Sequence, residues 1–100
     1  MRPIILNNSG IFEIIGNIVT ENASSVKEYF ENLFENSDEI IISLDRVNSI
    51  DFTGVNALAI LYRKAMEDNK ALYIIGRGNK NIEKVFNTTK MDFILSRDVV

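Results

Sequence analysis

Asp51, Thr53 and Gly54 stand together in Asp51-Phe52-Thr53-Gly54, where an apolar run gives way to a long amphipathic stretch. A carboxylate, a hydroxyl and a glycine at that junction are the residues best equipped for chemistry in this chain. A helix that begins here leaves several backbone N–H groups without partners and carries a partial positive charge at its first turn. A phosphate added to the Thr53 hydroxyl would meet a favourable field there, which makes Thr53 the residue to read as a switch. Two frames are open. With Asp51 as the helix cap, and Ile50 and Val55 forming a hydrophobic staple across it, Thr53 falls in the first turn with its hydroxyl free. With Thr53 as the cap, its oxygen already bonds a backbone amide and its role is structural.

Elsewhere the chain offers little to a catalyst. It has no cysteine and no histidine, which removes disulfides, thiolate chemistry, the commonest general base and the commonest metal ligand. Gly76-Arg77-Gly78-Asn79 lacks the spacing of a phosphate-binding loop and reads as a turn. Asp45 with Arg46, and Glu67 with Asp68, read as solvated charges. No metal or cofactor site is expected, and no enzyme activity. Phe52 has no reactive group, so it packs or serves as an exposed docking aromatic. The net charge of −3 argues against a nucleic-acid or anionic-membrane surface. Arg2-Pro3-Ile4-Ile5-Leu6 is too brief for a signal peptide and no run reaches membrane-spanning length. The glycosylation patterns at Asn7, Asn22 and Asn87 then read as chance matches. The expected location is cytoplasmic.

One domain, residues 1–100, must position these groups, and 46% apolar with 25% charged residues suits a soluble globular chain. Ile11–Ile15 reads as a β-strand ended by Gly16. Ile4–Leu6 is a candidate partner across an Asn7-Asn8-Ser9-Gly10 turn. Ala23, Val26, Phe30, Leu33 and Phe34 recur at helical spacing, with Asn22 or Thr20 to cap them. Ile40–Leu44 is nearly continuous apolar sequence, as in a strand covered on both faces. Asp45–Ser49 reads as a loop. Val55, Leu58, Ala59, Tyr62, Ala65 and Met66 form a second helical stripe that Asn69 stops. Leu72–Ile75 reads as another strand, Ile82, Val85 and Phe86 mark a third helix, and Met91, Phe93, Ile94 and Leu95 suggest a short edge strand. Ile41, Leu58, Tyr62, Ile74 and Phe86 are expected in the core. Ser96–Val100 is expected to fray, leaving apolar surface that favours weak self-association. The order predicts an α/β fold: a mixed, mostly parallel sheet with helices packed on it.

From Gly10 to about Leu95 the order and its junctions resemble the STAS domain family (sulfate transporter and anti-sigma factor antagonist). Gly16-Asn17-Ile18-Val19 occupies the place of a Gly-Glu-Leu-Asp-like turn. Asp51-Phe52-Thr53-Gly54 occupies that of an Asp-Ser-Ser-Gly-like motif. Gly76-Arg77-Gly78-Asn79 matches a Gly- and Asn-rich loop, and Thr89-Lys90-Met91 a Thr-Gly-Leu-like turn. Two positions depart: Phe52 replaces the first hydroxyl, and Val19 replaces the early carboxylate, unless Glu21 stands in for it. In bacterial anti-sigma factor antagonists the second hydroxyl, matching Thr53, is phosphorylated by a serine/threonine kinase that is also the anti-sigma factor. Phosphorylation breaks their complex and a phosphatase resets it. The resemblance therefore implies a transcription regulator that binds a protein partner through Asp51, Phe52, Thr53, Gly54, Asn56 and Arg77. Its alternative implication is an accessory subunit of an ABC-type membrane transporter, docked on the ATPase without a phosphoswitch.

Overall fold

A computed structural model describes residues 2–96. Its elements are β1 (Ile4–Asn8), β2 (Ile11–Ile18), α1 (Ala23–Phe34), β3 (Glu39–Ser43), β4 (Val47–Ile50), α2 (Phe52–Glu67), β5 (Ala71–Ile75) and α3 (Lys80–Thr88), followed by a 3-10 turn at Asp92–Ile94. The sheet runs β1-β2-β3-β5, with β4 also paired to β2. Only the β1–β2 pair is antiparallel. This is the predicted α/β architecture with a mixed, mostly parallel sheet.

The β1–β2 hairpin closes through Ser9 and Gly10 alone, both at positive φ (54° and 89°), the backbone a tight two-residue turn demands. Asn7 and Asn8, expected in the turn, belong to the strand instead, and the Asn7 side chain accepts from Gly10 N–H at 3.0 Å. Gly16 does not end β2 as expected. It takes φ 115°, and the register shifts between Gly16 and Asn17. That irregularity divides the strand's duties: Ile11–Glu13 pair with β3, while Gly16–Ile18 pair with β4.

Val47–Ser49, expected as part of an Asp45–Ser49 loop, therefore forms a strand together with Ile50. Val47 and Ile50 are buried while Asn48 and Ser49 between them are exposed, so four residues never display the alternation that marks a strand. A tight bend joins β3 to β4, with Val47 N–H donating to Leu44 O at 3.0 Å. Asn79 clamps this bend by donating from Nδ2 to Leu44 O (3.1 Å) and Val47 O (2.8 Å).

The core lies on one face of the sheet. Ile14, Ile42 and Ile74 are fully buried there beneath Phe30, Leu58 and Phe86 of the helices. Phe12 meets Phe30 edge-on, with ring centroids 5.9 Å apart. The other face is open: Ile41 is only half-buried and Tyr73 is 46% exposed, so β3 is not covered on both sides as expected. Among the expected core residues, Leu58, Ile74 and Phe86 are fully buried, whereas Ile41 and Tyr62 are half-buried. Met66 falls at the margin of the α2 stripe and is exposed. Asn69, at φ 57°, stops α2 as predicted.

At the far end no edge strand forms among the described residues. Leu95 makes a single parallel bridge to Ile74, and Ser96 N–H donates to Ile74 O at 2.7 Å. Ser96 is thereby held in place, and the fraying expected for Arg97–Val100 lies outside the described residues. Phe93, 61% exposed and edge-on to Tyr62, joins Tyr73 in an apolar patch at this sheet edge.

Candidate functional site

The end of β2 and the end of β4 lie side by side, and each hands its chain to a helix at the same place. Asp51 N–H donates to Ile18 O at 3.2 Å, tying the two exits together. Asp51 itself is extended (φ −101°, ψ −179°), and its Oδ1 accepts from Gly54 N–H at 2.9 Å. Asp51 is thus the α2 cap, and the frame that makes Thr53 the cap is excluded. Ile50 and Val55, the proposed staple, are both buried in the core cluster.

The second carboxylate oxygen reaches across the junction. Asp51 Oδ2 accepts from the Thr20 N–H and from the Thr20 hydroxyl, each at 2.9 Å. Burial pushes the Asp51 carboxyl up, but hydrogen bonds from Gly54, Thr20 and the Thr53 backbone outweigh it and hold the group below its ordinary value. Asp51 therefore stays ionised at neutral pH. Thr20 Oγ1 also lies 3.2 Å from Thr53 Oγ1. The Thr53 hydroxyl is exposed in the first turn of α2, yet it is hydrogen-bonded to Thr20 and not free as the sequence suggested.

Gly54 is required by space. A Cβ there would sit 2.4 Å from Ile18 O and 2.7 Å from Ile50 Cγ1. The first turn of α2 rests directly on the end of β2, which is how Thr20 and Thr53 come within reach. Phe52 is 63% exposed, so it is displayed and not packed. Asn56, one turn on, is exposed beside Thr53, and the partly exposed Ile60 extends that face.

Arg77 does not join this set. Its Nη2 donates to Asp92 O and Leu95 O, both at 3.0 Å, and it faces Glu83 at 3.8 Å, bracing the C-terminal turn. Val19 and Glu21 bring no carboxylate to the site. Val19 is half-buried, its carbonyl accepting from Asn22 and Ala23, while Glu21 is exposed. Thr20 is the side chain from the early turn that reaches Asp51 and Thr53. In sequence it signalled only a possible α1 cap, a position Asn22 occupies, and no local pattern announces a contact spanning 31 residues. No group of acidic residues positioned to hold a metal occurs among the described residues. No helix among them is long and apolar enough to cross a membrane.

Two strand exits thus meet under one helix start, which carries an exposed hydroxyl and an exposed aromatic in its first turn. The STAS domain family model matches residues 3–99, and the chain belongs to that family. An anti-sigma factor antagonist from Mycobacterium paratuberculosis superimposes with a TM-score of 0.74 at 17% identity, over 93% of this chain and 80% of that one. The anti-sigma factor antagonist SpoIIAA in its unphosphorylated form gives a TM-score of 0.75 at 12% identity, over 97% of this chain and 88% of that one. At these identities the two structures share the fold. No curated protein matches the chain in sequence.

Proposed function

We propose that this protein is a regulatory binding module that docks on a serine/threonine kinase-type anti-sigma factor and is switched by phosphorylation of Thr53. The observation that carries this reading is the frame of α2. Because Asp51 caps the helix, the Thr53 hydroxyl is displayed in the first turn, next to the exposed Phe52. An exposed aromatic beside an accessible hydroxyl suits a surface that a kinase must both grip and modify. The kinase brings its own ATP, so the module needs no cofactor and performs no catalysis itself. A phosphatase reverses the step.

The electrostatics supply the switching sense. Phosphorylation adds about −1.5 to −2 charges at pH 7. On Thr53 that charge arrives beside the ionised Asp51 carboxylate, opposing the clasp with Thr20 and any partner packed over Phe52. Binding titrations of the anti-sigma factor with wild type, Thr53→Ala and Thr53→Glu test the reading. Thr53→Glu is expected to weaken binding about tenfold or more and Thr53→Ala by much less. Equal binding of all three contradicts it and leaves the accessory-subunit reading, in which the same helix start docks on a transporter ATPase without a switch.

A further inference from the structure

The position of Thr20 carries an inference that rests on the phosphoswitch reading and deepens it. Thr20 Oγ1 stands 2.9 Å from Asp51 Oδ2 and 3.2 Å from Thr53 Oγ1. A hydroxyl has one proton to donate, whereas an ionised carboxylate only accepts. A charge-assisted bond is also the stronger of the two available to Thr20. The Thr20 proton therefore goes to Asp51, and the contact between the two hydroxyls takes the proton of Thr53. The three groups form a directed chain, Thr53 to Thr20 to Asp51. The Thr20 backbone N–H, on the same Oδ2 at 2.9 Å, fixes its inner end.

We propose that Thr20 is a positioning residue for phosphoryl transfer, holding the Thr53 proton inward so that the free lone pairs of Thr53 Oγ1 face outward to the γ-phosphate. In the step, Thr53 Oγ1 forms its bond to Pγ as the bond from Pγ to the β–γ bridging oxygen of ATP breaks, and ADP leaves with that electron pair. The Thr53 proton passes to Thr20 Oγ1 while the Thr20 proton passes to Asp51 Oδ2, and Asp51 then returns it to water. A weak base suffices, because the attacking oxygen loses its proton late in such a loose transition state. Positioning of the hydroxyl is the larger part of the effect.

The test is steady-state phosphorylation of Thr53 by the kinase-type anti-sigma factor and ATP, comparing wild type, Thr20→Val and Thr20→Ser. Valine keeps the shape and the backbone N–H bond but removes the hydroxyl, and serine restores it. Thr20→Val is expected to lower kcat about five- to tenfold with KM little changed. Thr20→Ser is expected to bring kcat back to about the wild-type value. A Thr20→Val protein with wild-type kcat, a loss confined to KM, or a serine variant as slow as the valine one overturns the role of Thr20. Wild type that accepts no phosphate overturns the phosphoswitch reading itself, a different result from a phosphorylated wild type indifferent to Thr20. NMR titration of Asp51 in the free protein adds a reading that needs no partner. Removing the Thr20 hydroxyl should raise the Asp51 pKa, and an unchanged titration contradicts the directed chain.

Discussion

Replacing Gly54 with alanine sets two physical effects of opposite sign against each other. Gly54 lies in the first turn of α2, and in an exposed helix Gly→Ala stabilises by about 1 kcal/mol. Here the new Cβ would stand 2.4 Å from the Ile18 carbonyl oxygen, 2.7 Å from Ile50 Cγ1 and 3.0 Å from Ile18 Cγ2. The nearest neighbour is backbone, about 1 Å inside ordinary contact, and it cannot rotate away. Overpacking of this kind costs about 1–3 kcal/mol. Lifting the α2 start to relieve it also strains the bond from Asp51 N–H to Ile18 O and the Thr20 bonds to the Asp51 carboxylate. Losing two of these bonds removes about 2 kcal/mol more. Against the helix gain, the net is a destabilisation of about 2–4 kcal/mol, or a Tm lower by about 10–20 °C for a domain of this size. Gly78→Ala is the control, because its Cβ meets nothing nearer than Asp45 Oδ1 at 3.7 Å. Thermal melts followed by circular dichroism decide the matter. A Gly54→Ala protein melting at or above the wild-type temperature would refute the close approach of α2 to β2, and with it the clasp.

Asp51→Ala should cost about 1–2 kcal/mol in urea unfolding at neutral pH, as loss of a helix cap does. Because the folded Asp51 pKa is depressed, its contribution is fully present above the ordinary carboxylate value of about 4 and is lost as pH falls through the folded value. The stability gap between wild type and Asp51→Ala should therefore narrow in acid. Asn79→Ala should destabilise by about 1–3 kcal/mol, since Leu44 O and Val47 O each lose the Asn79 donor and α3 loses its cap bond to Ile82 N–H. Phe52→Ser should leave Tm nearly unchanged while weakening capture of the anti-sigma factor about tenfold or more.

The parts of the fold legible in the sequence are those whose cause is local. The stripe Val55, Leu58, Ala65 faces the core because one helix face suffices to bury it, and Asn69 stops α2 by adopting a left-handed backbone open to asparagine. The Asp51 cap was equally visible, being fixed by residues within one turn. What stayed hidden depends on pairing at a distance. Val47–Ile50 is a strand because the end of β2 lies alongside it, not because its residues alternate. Gly16 looked like a strand end but serves as the irregularity that lets β2 change partners. Arg77 looked available beside the site, yet carbonyls of the C-terminal turn claim its guanidinium. Thr20 reaches the site through a contact that no local pattern announces, and Gly54 discloses its reason only when Ile18 is seen beneath it.

On the proposed function, Thr53 is the phosphoacceptor of a partner-binding surface. Phosphosite mapping by mass spectrometry, after incubation with the kinase-type anti-sigma factor and ATP, tests it most directly. A single phosphate is expected, on Thr53, absent from Thr53→Ala. No phosphate on the wild-type chain, or a phosphate on another residue with Thr53 unmodified, would contradict it.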